Sequence, residues 1–285
     1  MMRGRSGARA TIEGSSTIDR SSVDGSRERG RSGDPVIANA SGRRVVEPGE
    51  LAGRFLRQPI AEDGILVWRE TWSAGDASGG GSFETLFGDR LGPRELLRAL
   101  DRRGHDPRSL AFLDIETCGL GDLPIFLLGL LSFSGDRWEL LQAFAPEPGK
   151  ERRVLRRAID VLVSRPVWVT FNGRSFDVPR LRARADRHEL DFPEPREHID
   201  LLHAVRRGIG SRLPNARLGT VERHFLGRER SDEDVAGKEV PLRYHDFVET
   251  GAARWLEPVI EHNRRDVASL AVIFALLAEE AAKDS

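Results

Sequence analysis

The sequence has very little cysteine, one residue among 285, and no long apolar run. Cys118 therefore cannot form an internal disulfide, and a metal site built from cysteines alone is excluded. The longest apolar runs, 125–133 and 267–278, are shorter than the ~20 residues that a membrane-spanning helix needs. The N-terminus also lacks the apolar segment of a secretory signal. We therefore expect a soluble, cytoplasmic protein with no membrane partner.

The sequence also has no excess of basic or of acidic residues. The chain carries 44 basic and 45 acidic residues, and its formal net charge is -1 at pH 7. The overall electrostatic field therefore does not favour a polyanionic partner. Any surface that binds nucleic acid would have to be local.

Composition divides the chain into three segments. Residues 1–43 contain no aromatic side chain and almost no periodic apolar pattern, so they are predicted to form a disordered tail. A wrongly assigned start codon would explain this composition equally well. Residues 44–108 carry short apolar clusters and are predicted to form a lead-in arm that packs on the main domain. Residues 109–282 are predicted to form that domain.

Apolar periodicity predicts an α/β fold for the main domain, with a mixed central sheet that is flanked by helices. A meander of three strands comes first, and further strands and helices follow. Four arginines are predicted on the outer face of the second helix, at positions 180, 182, 184 and 187. The predicted strands are 110–115, 125–133, 138–144, 167–171 and 199–202, and the helices are 151–163, 176–188, 218–226, 242–250 and 255–282.

Two acidic residues end the first predicted strand. Asp114 and Glu116 lie two residues apart, so they share one face of an extended chain and can reach a common point. Two divalent ions held ~4 Å apart by carboxylates can activate water and stabilise the leaving oxygen in phosphodiester cleavage. That chemistry needs more than two acids. Taken alone, the pair is more often a solvated strand end.

Further polar residues follow two later elements. Asp177 is predicted in a first helical turn, beside the C-terminal end of a strand, where sites in α/β sheets lie. An acid at that position can also simply complement the helix dipole. His262 and Asp266 lie four residues apart on the last helix and so share one face. Such a pair is more often a feature of the surface.

In this order, the three elements resemble the proofreading-type exonuclease superfamily, which is defined by four acids. The stretch 111–277 is more closely similar to the YprB-type ribonuclease H-like family. The residues that carry this resemblance are 112–120, 171–177, 198–203, Arg206, Arg207, 218–222, 226–228, 234–237, Val240, Pro241, His262, Asn263, Asp266, Val267, Ser269 and Leu270.

The resemblance implies a ribonuclease H-like fold and a set of metal ligands. Two Mg²⁺ or Mn²⁺ ions would be bound by Asp114, Glu116, Asp177 and Asp266, and such hard cations prefer oxygen ligands. His262 stands where one branch of the superfamily has a tyrosine, while the histidine branch has its histidine one residue further upstream. Its role stays open between a general base and a residue that supports the metal ligands.

The resemblance also implies several substrate contacts. The loop with Thr117, Gly119 and Leu120 would touch the terminal nucleotide, although an ordinary turn explains these residues too. Other side chains are candidates for phosphate contacts and have a second explanation as turn-forming or solvated residues: Asn172, Arg174, Arg180, Arg206 and Arg207. Asp200 is the alternative fourth acid.

These residues together predict a metal-dependent nuclease, favoured as a 3′-to-5′ exonuclease that uses a two-metal mechanism. The expected partner is a single-stranded end of DNA or RNA, with a helicase or repair protein as a second candidate. A structure-specific or RNA/DNA-hybrid endonuclease is an alternative, because the fold hosts both chemistries. A catalytically silent scaffold that binds nucleic acid is another, and the presence of all four acids favours an enzyme over it.

Overall fold

The structure is a computed structural model that describes residues 47–75, 80–227 and 235–282. These residues belong to one unit, Val46–Ser285. The predicted disordered tail, residues 1–43, lies outside the described residues. No helix in the described ranges is long and apolar enough to cross a membrane.

The described strands form one mixed sheet in the order β1-β2-β5-β4-β3-β6-β7. Neighbours from β1 to β3 along this order are antiparallel, whereas the pairs β3–β6 and β6–β7 are parallel. The predicted meander is therefore confirmed as β3, β4 and β5, and the predicted arm contributes β1 and β2. The strands are β1 (Ile60–Glu62), β2 (Ile65–Ser73), β3 (Leu110–Thr117), β4 (Ile125–Ser134), β5 (Arg137–Phe144), β6 (Val167–Thr170) and β7 (Glu197–Asp200).

Helices cover both faces of the sheet. Within the main domain, helix α6 was not predicted, because the strand expected at 199–202 ends at Asp200. The Asp200 carboxylate accepts the Leu202 N–H at 3.1 Å and caps the start of α6. The helices are α1 (Pro48–Ala52), α2 (Gly80–Phe87), α3 (Pro93–Arg102), α4 (Glu151–Leu162), α5 (Asp177–Arg187), α6 (Leu201–Gly208), α7 (Leu218–Leu226), α8 (Val240–Thr250) and α9 (Glu257–Ala282).

The alternation of side chains along β3 decides which face carries the acids. Leu113 and Ile115 pack in a core with residues of α4, α5 and α8. Phe112 packs in the opposite core, which contains residues of α3, α6, α7 and α9. Because side chains alternate along a strand, Asp114 and Glu116 lie on the face that α9 covers.

Helix α9 approaches the sheet most closely at Gly129, which pairs with Asp114 in the register of β3 and β4. A Cβ at position 129 would collide with the Asn263 side chain and would lie 2.7 Å from Val267 Cγ2. Asn263 is fully buried, with 0% of its surface exposed. The missing side chain at position 129 therefore makes room for α9 beside the acids of β3.

A buried ion pair joins α4 to α5. Glu151 is only 1% exposed, and its oxygens accept hydrogen bonds from Arg184 Nε at 2.8 Å and Arg184 Nη2 at 2.5 Å. The backbone N–H of Ile125 and the His188 ring contact the same carboxylate. The predicted outward position of Arg184 is therefore wrong. Positions 177, 181 and 184 share one face of α5, and that face is buried.

Gly129→Ala should destabilise the protein by about 1–3 kcal/mol, because the added methyl group displaces Asn263 and Val267 from a packed interface. Urea unfolding followed by circular dichroism measures the change. Gly149→Ala is the matched control, since its Cβ would meet no atom within 4 Å, and its effect should stay within about 0.5 kcal/mol. Equal stability of the two variants would contradict the close approach.

Glu151→Gln should destabilise the protein by about 3 kcal/mol, because the Arg184 side chain, 7% exposed, loses its buried counter-charge. The control is Glu147→Gln, at a half-exposed pair with Lys150, where the loss should stay below about 1 kcal/mol. Chemical unfolding at neutral pH compares the two. A loss no larger than that of the control would argue against the buried pair.

The same pair should make stability depend on pH. Burial raises the pKa of Glu151, but hydrogen bonds from Arg184, Ile125 and His188 outweigh burial and hold the pKa below its usual range. The stabilisation is therefore present at neutral pH and is lost as the pH falls through the folded-state pKa. The stability difference between the wild type and Glu151→Gln should accordingly narrow in acid.

Candidate functional site

Three elements meet at Asp114. Strand β3 carries Asp114 and Glu116 near its C-terminal end. Helix α5 begins with Asp177, whose Oδ1 accepts the Ile115 N–H at 3.2 Å. Helix α9 contributes Asn263, whose Nδ2 donates to Asp114 Oδ2 at 2.9 Å. Two helices far apart in the sequence thus meet the same end of β3, at Asp114 and Ile115.

The electrostatics of Asp114 show which acids lie near it. Burial raises the pKa of Asp114 well above its usual range, and the charges of Asp177, Glu116 and Asp266 raise that pKa further. The hydrogen bond from Asn263 acts in the opposite direction. Burial also raises the pKa of Asp177 to about 7, against the effect of the Ile115 N–H. Of the four acids predicted as metal ligands, three therefore lie near enough to Asp114 to raise its pKa.

His262 lies beside these acids. Its Nε2 is 3.5 Å from Asp266 Oδ2, and the two side chains are only 12% and 11% exposed. Both residues line a cleft of about 490 Å³, together with Arg217 and Arg223. The cleft thus brings two guanidinium groups near the acids, and sequence reasoning had not singled out either arginine.

The donor set suits Mg²⁺ or Mn²⁺, because all four acids offer carboxylate oxygens. Buried carboxylates repel one another, and a divalent cation would relieve that repulsion, as the raised pKa of Asp114 indicates. Within residues 47–75, 80–227 and 235–282, no three His, Cys, Asp or Glu side chains form a ready-made metal-binding group. The described acids therefore lie near one another, but they do not have the mutual spacing of a formed metal-binding group.

A chain of buried amides orients Asn263. Gln142 Nε2 donates to Asn263 Oδ1 at 2.9 Å and to the Ile260 carbonyl at 2.8 Å. Arg57 Nη2 donates to Gln142 Oε1 at 2.5 Å. Because the Asn263 oxygen is held by Gln142, its nitrogen faces Asp114. Sequence reasoning missed Gln142, although a polar residue within the apolar run 140–144 was the available signal.

The loop after β3 holds the residues predicted to touch the terminal nucleotide. Thr117 is buried, and its Oγ1 donates to the Gly119 carbonyl at 2.8 Å. Gly119 has φ +143°, and a Cβ there would lie 2.9 Å from Leu123. Leu120 is 84% exposed. Of the three predicted residues, Leu120 is thus the one whose side chain is open to solvent, and contact with a nucleotide stays a prediction.

Arginines of α5 brace this loop. Arg180 Nη1 donates to the carbonyls of Gly119 and Gly121, and its guanidinium lies 4.1 Å from the Phe176 ring centroid. Arg184 Nη1 and Arg187 Nη1 bind the Asp122 carboxylate at 2.9 and 3.1 Å. The guanidinium of Arg180, a candidate for phosphate binding, is therefore engaged with the loop itself.

The turn between β6 and α5 depends on Asp200. The backbone N–H groups of Asn172 and Arg174 donate to its two oxygens at 2.8 and 3.0 Å. Asn172 adopts φ +64°, and a Cβ at Gly173 would lie 2.7 Å from Thr170 Cγ2. With the Leu202 N–H bound as well, the Asp200 carboxylate holds this turn and the start of α6. This structural role explains Asp200 without metal ligation.

The remaining arginine candidates do not line the cleft of His262. The Arg174 guanidinium donates to the His198 carbonyl at 2.6 Å, and Arg174 and Arg207 line a second cleft. Arg206 is exposed and lines neither of these clefts. None of the arginines predicted to contact phosphate therefore lines the cleft of His262.

Comparison with known proteins places the chain in a family. A family model described as the RNase_H superfamily matches residues 111–278. The uncharacterized protein YprB of Bacillus subtilis (strain 168) is 33% identical over 195 residues, which are 67% of this chain and 47% of that protein. This chain therefore spans about half the length of that relative.

A solved structure gives a further comparison. The family B DNA polymerase from the hyperthermophilic archaeon Pyrobaculum calidifontis aligns with a TM-score of 0.47 and 20% identity, over 59% of this chain and 24% of the polymerase. The family match covers more than half of the chain and, with the identity to YprB, confirms the family resemblance and the fold class predicted from the motifs. The chain belongs to the ribonuclease H superfamily, in its YprB-type branch.

Proposed function

We propose that the protein is a metal-dependent nuclease that hydrolyses phosphodiester bonds, and that it acts as a 3′-to-5′ exonuclease. The observation that carries this proposal is the arrangement of the four acids. Asp114 and Glu116 share one face of β3, Asp177 is hydrogen-bonded to the N–H of Ile115, and Asp266 lies on α9 three residues after the Asn263 that binds Asp114. Asp266 also lines an open cleft. Membership of the ribonuclease H superfamily supports a nuclease fold. The order of the acids along the chain, as in proofreading-type exonucleases, favours removal of nucleotides from an end.

In this proposal the four acids hold two Mg²⁺ or Mn²⁺ ions, which would supply an activated water and stabilise the departing 3′-oxygen. The Asn263 amide fixes the Asp114 carboxylate through its hydrogen bond to Oδ2. The Ile115 N–H fixes Asp177 in the same way. Both acids are thus oriented by backbone or amide donors before any substrate arrives, which lowers the reorganisation that the reaction requires.

His262 has the role of proton acceptor in this proposal. An imidazole exchanges protons near neutral pH, and its Nε2 lies close to Asp266 within the cleft. Support of Asp266 by the same contact is the alternative role. In this proposal Arg217 and Arg223, which line the cleft, would neutralise phosphate charge, and Leu120, which is exposed, would contact a terminal base.

The proposed partner is a single-stranded end of DNA or RNA, with a helicase or repair protein as a second partner. The proposed location is the cytoplasm, which the single cysteine supports.

Asp114→Asn should abolish Mn²⁺- or Mg²⁺-dependent degradation of an end-labelled single strand. Loss of an outer partner of a metal ligand reduces activity by about 10–100-fold, so loss of a ligand itself should exceed about 100-fold. Gel analysis of the labelled products measures the change. The control is Asp136→Asn, in an exposed turn at the opposite end of the sheet, which should degrade the strand like the wild type.

Two outcomes would reject the nuclease proposal. If the wild type and Asp114→Asn degrade the strand equally, the carboxylate site is not responsible for the activity. If calorimetry detects no Mn²⁺ binding and no strand is degraded, the catalytically silent scaffold becomes the function.

A covalently closed circular single strand should resist the wild-type protein, while a linear strand of the same sequence is degraded to mononucleotides. An exonuclease needs an end, so this comparison separates it from an endonuclease. The label is placed within the strand in both substrates, and products are resolved by size. Rapid conversion of the circle to linear fragments would replace the exonuclease proposal with the endonuclease alternative.

A further inference from the structure

A second cleft, of about 450 Å³, lies on the side of the sheet formed by β7 and α6. Its lining is rich in nitrogen donors from β7, α6 and the end of α3. The residues that supply them are Arg103, His105, Arg174, His198, His203 and Arg207. Three of these six residues are arginines, so the cleft is a local concentration of positive charge on a chain whose net charge is -1.

The three guanidinium groups of this cleft outnumber its two carboxylates. Glu197 and Asp200 also line it, but the Asp200 oxygens already accept three backbone N–H groups. By contrast, the side chains of Arg207 and His203 form no hydrogen bond or ion pair with any residue in the described ranges. The cleft therefore offers a guanidinium and an imidazole that the fold itself does not use.

Arg103 adds a third donor group. One of its Nη atoms donates to the Phe274 carbonyl at 2.6 Å, and its guanidinium lies 4.1 Å from the Phe274 ring centroid. The Nε atom is buried and has no hydrogen-bond partner within the described part of the chain. Arg103 is thus held in place by α9 while part of its donor capacity stays unused.

The turn before α5 connects this cleft to the carboxylate site. Arg174 lines the cleft, and its backbone N–H is fixed by Asp200. Asp177, one of the four acids, follows only three residues later, so their Cα atoms lie at most about 11 Å apart. A strand whose scissile phosphate reached the acids would have neighbouring phosphates within reach of the cleft.

We propose that this cleft binds the phosphodiester backbone of the nucleic-acid strand that is cleaved at the carboxylate site. Guanidinium groups match phosphate geometry and keep their charge at all physiological pH values. Contacts of this kind position a strand without reading its sequence. The inference rests on the proposed nuclease function and adds to it a contact surface outside the cleft of His262.

The experiment measures binding of a fluorescent single strand by full-length protein that carries Asp114→Asn, so that the strand stays intact. Adding Arg207→Gln should weaken binding about tenfold, as expected for loss of one charge-assisted hydrogen bond. The slope of log Kd against log salt concentration should fall by about 0.7. Thermal unfolding by circular dichroism establishes that the variants remain folded.

Arg206→Gln is the matched control, since Arg206 lies next to Arg207 on α6, is also exposed and does not line the cleft. It removes the same charge and should leave the affinity within about twofold, because a surface charge without a direct contact contributes little. Equal effects of the two variants, or no effect of either, would overturn the proposed cleft. So would the absence of any strand binding.

Competition by inorganic phosphate and by a mononucleotide tests another source of the same chemistry. One result would reject the strand proposal. In it, inorganic phosphate or the mononucleotide binds the Asp114→Asn protein but no longer binds after Arg207→Gln is added, while the affinity for the strand is the same with and without Arg207→Gln. The cleft would then bind a free product.

Hydrolysis by protein with Asp114 intact is assayed separately, so the two proposals can fail independently. If the protein hydrolyses the strand, and Arg206→Gln and Arg207→Gln have equal effects on strand affinity, only the cleft proposal is rejected. Absence of hydrolysis combined with a specific loss of binding in Arg207→Gln rejects the nuclease function and leaves the cleft as a strand-binding site without cleavage.

Discussion

Helix α9 crosses the sheet at Gly129, and the carboxylate site depends on the short distance between α9 and strand β4 at this residue. The backbone of β4 lies directly beside the acids of β3 at this point, because Gly129 pairs with Asp114. Any side chain there would hold α9 away and would move Asn263, His262 and Asp266 with it. One missing side chain thus sets the distance between two elements that are separated by more than a hundred residues in the sequence.

The polar contacts around Asp114 are stable because each buried group has a partner. Asn263 shares its donor and acceptor between Asp114 and Gln142, and Gln142 in turn accepts from Arg57. Arg57 pairs with Glu70, which also binds Arg264, the neighbour of Asn263 on α9. In a region of low dielectric, a partly satisfied network of this kind would be more costly than an apolar core. The closed path therefore holds the amide in one orientation.

Local sequence patterns were sufficient to predict the strands and helices whose apolar periodicity is strong. The meander and α4 follow from runs of buried residues, and the acids at 114 and 116 share a face because strands alternate. The positions of the polar residues around the site depend instead on contacts between residues that are far apart in the sequence. Arg184 looked like a solvated residue, since its partner Glu151 lies 33 positions away. Gln142 and Asn263 meet across 121 positions, and no local pattern records such a pairing.

The β2 strand has a consequence for the modularity of the protein. The family match begins at residue 111, yet β2 pairs with β5 along its length, from Leu66 opposite Phe144 to Ser73 opposite Arg137. Removal of the residues before 111 would leave the β5 edge without its hydrogen-bonded neighbour β2, and an unpaired edge strand promotes aggregation. It would also remove Arg57, the donor that holds Gln142. We therefore expect the ribonuclease H region, residues 111–278, to need the preceding residues in order to fold stably, because they supply part of the same sheet.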